Sequence, residues 1–199
     1  MAAEKRSRKV RREQIAEAAL EVIARHGTRS LSVGEVARRT GIVPSAIYRH
    51  FHGKEEILSA AIERMGERLL ENVARAIAEE GRTIERLRKL LQYHVRAIRE
   101  GHAGPRIIFA EGIDGGGVSH RMEVYHVIRR YLDRVAEILR HGQQAGDLRG
   151  DLDPEATAVH FLGLIQPPAT LWYLSAGKFD IALYAERSFA QFAGSIAAR

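Results

Sequence analysis

The chain has no cysteine in its 199 residues. That excludes a disulfide framework and thiol chemistry, and it fits a reducing compartment such as the cytoplasm. No apolar run approaches the roughly 20 residues that cross a bilayer. The start, Met1-Ala-Ala-Glu-Lys-Arg-Ser-Arg-Lys9, is charged without an apolar stretch behind it, so no secretory signal is expected. Catalytic signatures are missing too. There is no Gly-x-Ser-x-Gly elbow, no His-Glu-x-x-His, no phosphate loop and no dinucleotide fingerprint. Gly112-Ile-Asp-Gly-Gly-Gly117 is glycine-rich, but no strand precedes it and no Lys-Ser/Thr follows, so it reads as a loop. The nine histidines are scattered. Only His50-x-His52 is a close pair, with no Cys or carboxylate at ligand spacing. We therefore expect no enzyme and assign no catalytic residue, metal or cofactor.

What is present concentrates in Leu31–Lys54. Ser32-Val33-Gly34-Glu35 has the form of a capping box, with Ser32 over the Glu35 N–H and Glu35 reaching back. Val33, Val36 and Ala37 give the helix a small apolar face. Thr40-Gly41 ends it, and Gly41 can take the left-handed conformation of a sharp turn. Ile42 anchors the turn, and Pro44 suits the first turn of a second helix. Ile47 and Phe51, four residues apart, face inward together. Ser45, Tyr48, Arg49, His50 and His52 are left outside, a face rich in hydrogen-bonding groups and suited to a polyanion. Two short helices and a tight turn are how a recognition helix is offered to the major groove, although such hairpins also serve structure alone.

Charge follows the same division. Residues 1–56 hold 12 Lys/Arg and 7 Asp/Glu, a net of +5, whereas residues 57–199 hold 19 and 18. The excess lies in Lys5, Arg6, Arg8, Lys9, Arg11 and Arg12. Beside a helix-turn-helix, such an arm points to phosphate or minor-groove contact; taken alone it would be a solvated tail. It lacks the interleaved Trp, Phe and Leu of a membrane anchor.

The chain resembles the TetR/AcrR family of transcriptional regulators. The resemblance rests on Val36-Ala37, Gly41-Ile-Val-Pro44, Ile47-Tyr-Arg-His-Phe51 and Lys54-Glu-Glu-Ile-Leu58. Arg11–Ile15 through Ala24–Gly27 looks like the family's first helix, so the match covers roughly residues 8–60. Members often carry Gly-Thr where this chain has Ser45-Ala46, and Ala46 cannot donate a hydrogen bond. The resemblance implies an all-α dimer. A three-helix DNA-binding domain over residues 1–56 would precede a larger helical effector-binding and dimerisation domain over 57–199. It further implies that Ser45, Tyr48 and Arg49 approach bases or backbone of a palindromic operator. His50 and Lys54 would hold phosphates, and Ser32 would bring a helix N-terminus to another. Arg11, Val43 and Pro44 complete the assigned DNA-binding set.

Apolar spacing predicts about nine helices and no strand. They fall near 11–26 and 33–40, then a short helix opening at Pro44, then 54–80, 83–100, 105–112, 118–145, 153–177 and 180–198. Thr83 is the expected cap of the fifth helix, and Asp153-Pro154-Glu155 is a strong helix start. Val118, Met122, Tyr125, Ile128, Leu132, Val135 and Leu139 mark one stripe of the seventh. The last two helices are apolar on more than one side, as a homodimer interface or a doubly packed core helix requires. Gln166-Pro167-Pro168 must kink or break its helix, shaping a ligand pocket or only bending the chain round the core. Candidates for a small hydrophobic or aromatic effector are Met65, Leu69, Tyr93, His94, Phe109, Met122, Tyr125, His126, Phe161, Gln166 and Trp172, each of which could equally be ordinary core. The reading is a dimeric, effector-released repressor. An effector-independent architectural DNA-binding protein is the alternative, and the state of the C-terminal domain separates the two.

Overall fold

A computed structural model describes residues 2–101, 103–108, 110 and 118–198, and of residues 2–7 the backbone alone. The helices are α1 (Ala2–His26), α2 (Val33–Thr40), α3 (Pro44–Ile47), α4 (Lys54–Ala78), α5 (Thr83–Arg99), α6 (Gly104–Ile107), α7 (Val118–Gln144), α8 (Pro154–Gly163), α9 (Gln166–Leu174) and α10 (Ile181–Ile196), with a 3-10 turn at Thr28–Ser30. The all-helical expectation is met. Among the described residues the only pairing of extended backbone is an isolated bridge between Leu148 and Ala197. No described helix is long and apolar enough to cross a membrane.

Two compact units emerge: Met1–Glu67 with Gly101–Val127, and Arg68–Glu100 with Ile128–Arg199. In the first, Ile15, Ala19, Val22 and Ile23 form one buried stripe of α1, joined by Val36, Ile47, Phe51, Ile57, Ala61 and Ile62. α1 begins at Ala2 rather than near Arg11. Ala, Glu, Lys and Arg before Arg12 are strong helix formers, with no Gly or Pro to stop the helix. The basic arm is thus a helical extension.

The first half of α7 departs from the expected stripe. His120, Val124 and Val127 are buried, while Val118, Met122 and Tyr125 stay exposed. The inward face is fixed by the start of α4. His120 Nε2 lies 3.3 Å from the Glu55 carbonyl, and Ser59 Oγ donates to Glu123 Oε1 at 3.0 Å.

The second unit holds one large core that includes Leu87, Leu91, Tyr131, Val135, Phe161, Phe189 and Phe192. Phe192 gathers three rings, with His160 edge-on at 5.1 Å, Phe161 at 5.8 Å and Phe189 at 6.1 Å. Asp153 starts α8 as expected, accepting the Ala156 N–H at 3.0 Å. Thr83 is not the cap of α5. It is the first helical residue, and Asp147 takes its N–H at 2.9 Å and its hydroxyl at 3.0 Å. The expected helix over 153–177 is two helices. Pro167 and Pro168 sit in the first turn of α9, where their missing N–H groups leave no bond unmade.

Candidate nucleic-acid interface

The interface candidate is built from α2, the turn and α3. Ser32 caps α2 in extended conformation, its Oγ accepting the Glu35 N–H at 3.1 Å. The reciprocal half of the capping box is absent, because the Glu35 carboxylate accepts from Arg38 Nε at 3.2 Å instead. That bond holds the Glu35 carboxyl below its usual range. Of the first N–H groups of α2, that of Glu35 is taken by Ser32, whereas those of Val33 and Gly34 have no acceptor within the helix, as helix geometry leaves them.

Gly41 closes α2 at φ 68° and ψ 27°. The Ile42 N–H reaches back to the Ala37 carbonyl at 3.1 Å, the Schellman closure that requires a left-handed residue. Val43 then caps α3, with Pro44 at its first position. The α-helical part of this segment is four residues long. Tyr48–His50 form a tight turn, with the His50 N–H on the Ile47 carbonyl at 2.8 Å. The physical reason lies in α1. Arg8 donates to the Arg49 carbonyl at 3.4 Å, and Arg12 donates to the His50 carbonyl.

Arg12, which the sequence places only in the basic arm, has a structural role that sequence reading missed. Its guanidinium stacks 4.1 Å over the Phe51 ring and pairs with Glu56 at 2.9 Å. Glu56 also accepts the His52 N–H at 2.8 Å, and that bond, followed by Arg12, holds its carboxyl low. The partners lie about 40 residues away in sequence, so no local pattern could have disclosed them.

Over this frame Ile47 and Phe51 are fully buried. Val43 is 64% exposed and Tyr48 56%, with Ser32, Pro44, Ser45 and Arg49 exposed alongside. Arg11, Arg49 and Lys54 hold no ion pair among the described residues, whereas Arg12, Arg38 and Arg39 are each taken by a carboxylate. His50 is half-buried, and its Nδ1 is buried without a partner. Burial, then the charges of Arg8, Arg11, Arg12 and Arg49, push its pKa down. Both effects favour the neutral form of the ring.

The effector candidates divide between the units. Met65 is buried in the first, where Met122, Tyr125 and His126 are exposed and the Tyr125 and His126 rings lie 5.7 Å apart. Phe109 lies outside the described residues. In the second unit Phe161 is fully buried, and Leu69 and Gln166 are half-buried. His94 Nε2 meets the Tyr131 hydroxyl at 3.0 Å. Tyr93 bonds Glu79 and carries Arg75 over its ring at 4.1 Å. Trp172 meets Tyr173 edge-on at 5.0 Å. A groove of about 550 Å³ opens between α5 and α10, and none of these candidates lines it.

A helix-turn-helix held on a small helical unit, followed by a larger helical core, defines a class: DNA-binding transcriptional regulators. The chain belongs to the TetR family. Residues 15–61 match "Bacterial regulatory proteins, tetR family", and residues 80–195 match "Tetracyclin repressor-like, C-terminal domain". The fatty acid metabolism regulator protein of Bacillus subtilis (strain 168) is 27% identical over 169 residues, covering 84% of this chain and 86% of the relative. The nucleoid occlusion factor SlmA of Vibrio atlanticus (strain LGP32) is 26% identical, over 85% and 87% of the two chains. Among solved structures, the Bacillus subtilis regulator FadR in complex with stearoyl-CoA superposes with a TM-score of 0.75 at 25% identity, over 92% of this chain and 98% of that one.

Proposed function

We propose that the chain is a homodimeric repressor, working in the cytoplasm, that grips a palindromic operator through residues 1–56 and releases it when residues 57–199 bind an acyl or similarly hydrophobic effector. The observation that carries the reading is the outward face of α2 and α3. Val43 and Tyr48 stand exposed over a fully buried Ile47 and Phe51, flanked by the unpaired Arg11, Arg49 and Lys54. Unpaired cations around exposed groove-sized side chains match a phosphate backbone on either side of base edges. Lys54 opens α4, at the positive end of its dipole. Glu55 and Glu56 share that first turn and complement the dipole, yet Lys54 is paired with neither, so its ammonium is available to a phosphate. In this reading Tyr48, Ser45 and Arg49 approach bases or backbone. Val43 and Pro44 pack on the groove, and the free N–H groups beyond Ser32 take a phosphate. His50 donates one hydrogen bond to another. Two such faces about 34 Å apart fit successive major grooves, and an effector that changes their spacing releases the DNA. The acyl class of effector draws on the fatty acid metabolism regulator and on the stearoyl-CoA complex of a related chain.

The test is fluorescence anisotropy with DNA from upstream of the chain's own coding region, across salt concentrations. Lys54→Ala is expected to weaken binding to every sequence and to reduce the salt slope by about one per subunit. An unchanged slope would remove the phosphate role. Tyr48→Ala is expected to abolish operator preference while the dimer persists; surviving preference would reassign the groove contact. Decanoyl-CoA is expected to release the wild-type complex. The likeness to a nucleoid occlusion factor favours a second reading, effector-independent DNA binding. Operator binding that no acyl compound releases would select it.

A further inference from the structure

We infer that the groove between α5 and α10 binds a linear amphipathic anion, its head held by Arg99 and its acyl tail laid along Ala182 and the edge of Val95, over a buried floor of Leu91 and Ala185. The inference rests on the acyl-effector reading and gives it a location. The groove's volume of about 550 Å³ lies within the range of small-molecule sites. Its origin is steric. α5 offers Leu91 and Val95, and α10 answers them with the small Ala182 and Ala185 where a larger side chain would close the gap.

The two ends differ in charge. At one, Glu186 is already satisfied, accepting from Gln92 at 3.0 Å and pairing with Arg88 at 3.4 Å. At the other, Arg96 pairs with Glu100 at 2.7 Å, and Arg99 has no partner among the described residues. Among the lining residues of that end, the Arg99 charge is therefore uncompensated. The carboxyl end of α5 lies there, and the amino end of α10 beside it is capped by Asp180, whose carboxylate accepts the Leu183 N–H at 3.0 Å and is not among the lining residues, so Arg99 is the unpaired charged group of the lining at that end. From Gln92 to Arg99 the floor runs about 10 Å at 1.5 Å per residue, enough for a medium-length chain. The α10 residues facing the groove are Ala182, Ala185 and Glu186, whereas Leu183 and Tyr184 point elsewhere and are exposed. The groove is therefore separate from the face that pairing of α10 would use.

The experiment is calorimetric titration of decanoate, decanoyl-CoA and coenzyme A into the full chain, Arg99→Gln, Arg99→Lys and Ala182→Phe, with melting curves for each variant. Wild type is expected to bind at least one acyl compound and not coenzyme A alone. Decanoate binding assigns a carboxylate head; binding of decanoyl-CoA only assigns a phosphate-bearing one. Arg99→Gln is expected to weaken binding about tenfold, as loss of one charge-assisted bond would. Arg99→Lys should retain most of it, and Ala182→Phe should abolish it at an unchanged melting point. Wild-type affinity in both Arg99→Gln and Ala182→Phe overturns the groove while leaving the acyl-effector reading intact. No heat from any acyl compound, with operator binding unimpaired, overturns the groove and the acyl effector together. If Arg99→Gln instead converts a dimer to monomers, the groove belongs to the partner subunit and the inference fails.

Discussion

Arg12 and His94 place polar chemistry at opposite ends of solvation. Arg12 is a strut. One guanidinium supports the Phe51 ring, the His50 carbonyl and the Glu56 carboxylate, so the turn bearing Tyr48 is held from α1 and α4. His94 is buried beside Tyr131, with ring centroids 5.3 Å apart. Burial pushes its pKa down to about 4 and pushes the Tyr131 hydroxyl up. The unfolded chain binds a proton at His94 below about pH 6.5, whereas the folded chain does so only below about 4. Within that window the unfolded state carries more protons, so stability rises with pH. Acidification from pH 6.5 towards 4 should therefore cost about 3 kcal/mol from this residue. Denaturant unfolding at several pH values checks it. His94→Gln should flatten the profile in that window, and an equally steep profile would reassign the effect.

At the scale of elements, the legible features were local ones. Ser32 over Glu35, Gly41 at the turn, and Asp153 before Pro154 are each written within four residues, and each formed. Pro167 and Pro168 marked a break, and one is there. What was not legible depends on partners distant in sequence. The stripe Val118, Met122, Tyr125 has the right period yet faces solvent, because the residues that meet α4 are His120 and Glu123. The cap of α5 comes from Asp147, 64 residues onward, which also accepts from Arg82 at 3.0 Å. The groove between α5 and α10 was likewise invisible, since it arises from alanines facing a helix that lies more than 80 residues earlier. Asp147→Ala should lower stability by about 1 kcal/mol, the usual worth of a helix cap, as a shift of the denaturant midpoint. The bond from Thr83, then Arg82, holds the Asp147 carboxyl low. Its support is present above the ordinary carboxylate range and is lost as pH falls through the lowered value, so wild type and variant should converge in strong acid.

At the scale of the molecule, positive charge gathers in residues 1–56, which carry the helix-turn-helix, and exposed apolar side chains recur on the last three helices. Val159, Leu171, Leu174, Leu183 and Tyr184 are all exposed, and Leu174 is 79% so. Apolar side chains grouped this way are normal for a surface that is covered in the assembled protein. An isologous pair would bury each copy against the other. Leu174→Arg should leave the melting of the second unit's core nearly unchanged, because the side chain touches little within its own chain. It should convert a dimer into monomers in sedimentation velocity. A dimer of unaltered sedimentation coefficient would move the interface off α9.

Trp172 is the only tryptophan in the chain. It is half-buried against Tyr173, and a side chain added at Gly177 would meet its indole at 3.6 Å. Emission excited at the red edge of protein absorption therefore comes from a single site on α9. Covering that helix should shift the spectrum to the blue and shield it from iodide quenching, and uncovering it should do the reverse. The chain thus carries its own optical reporter of what happens to α9, readable without a label.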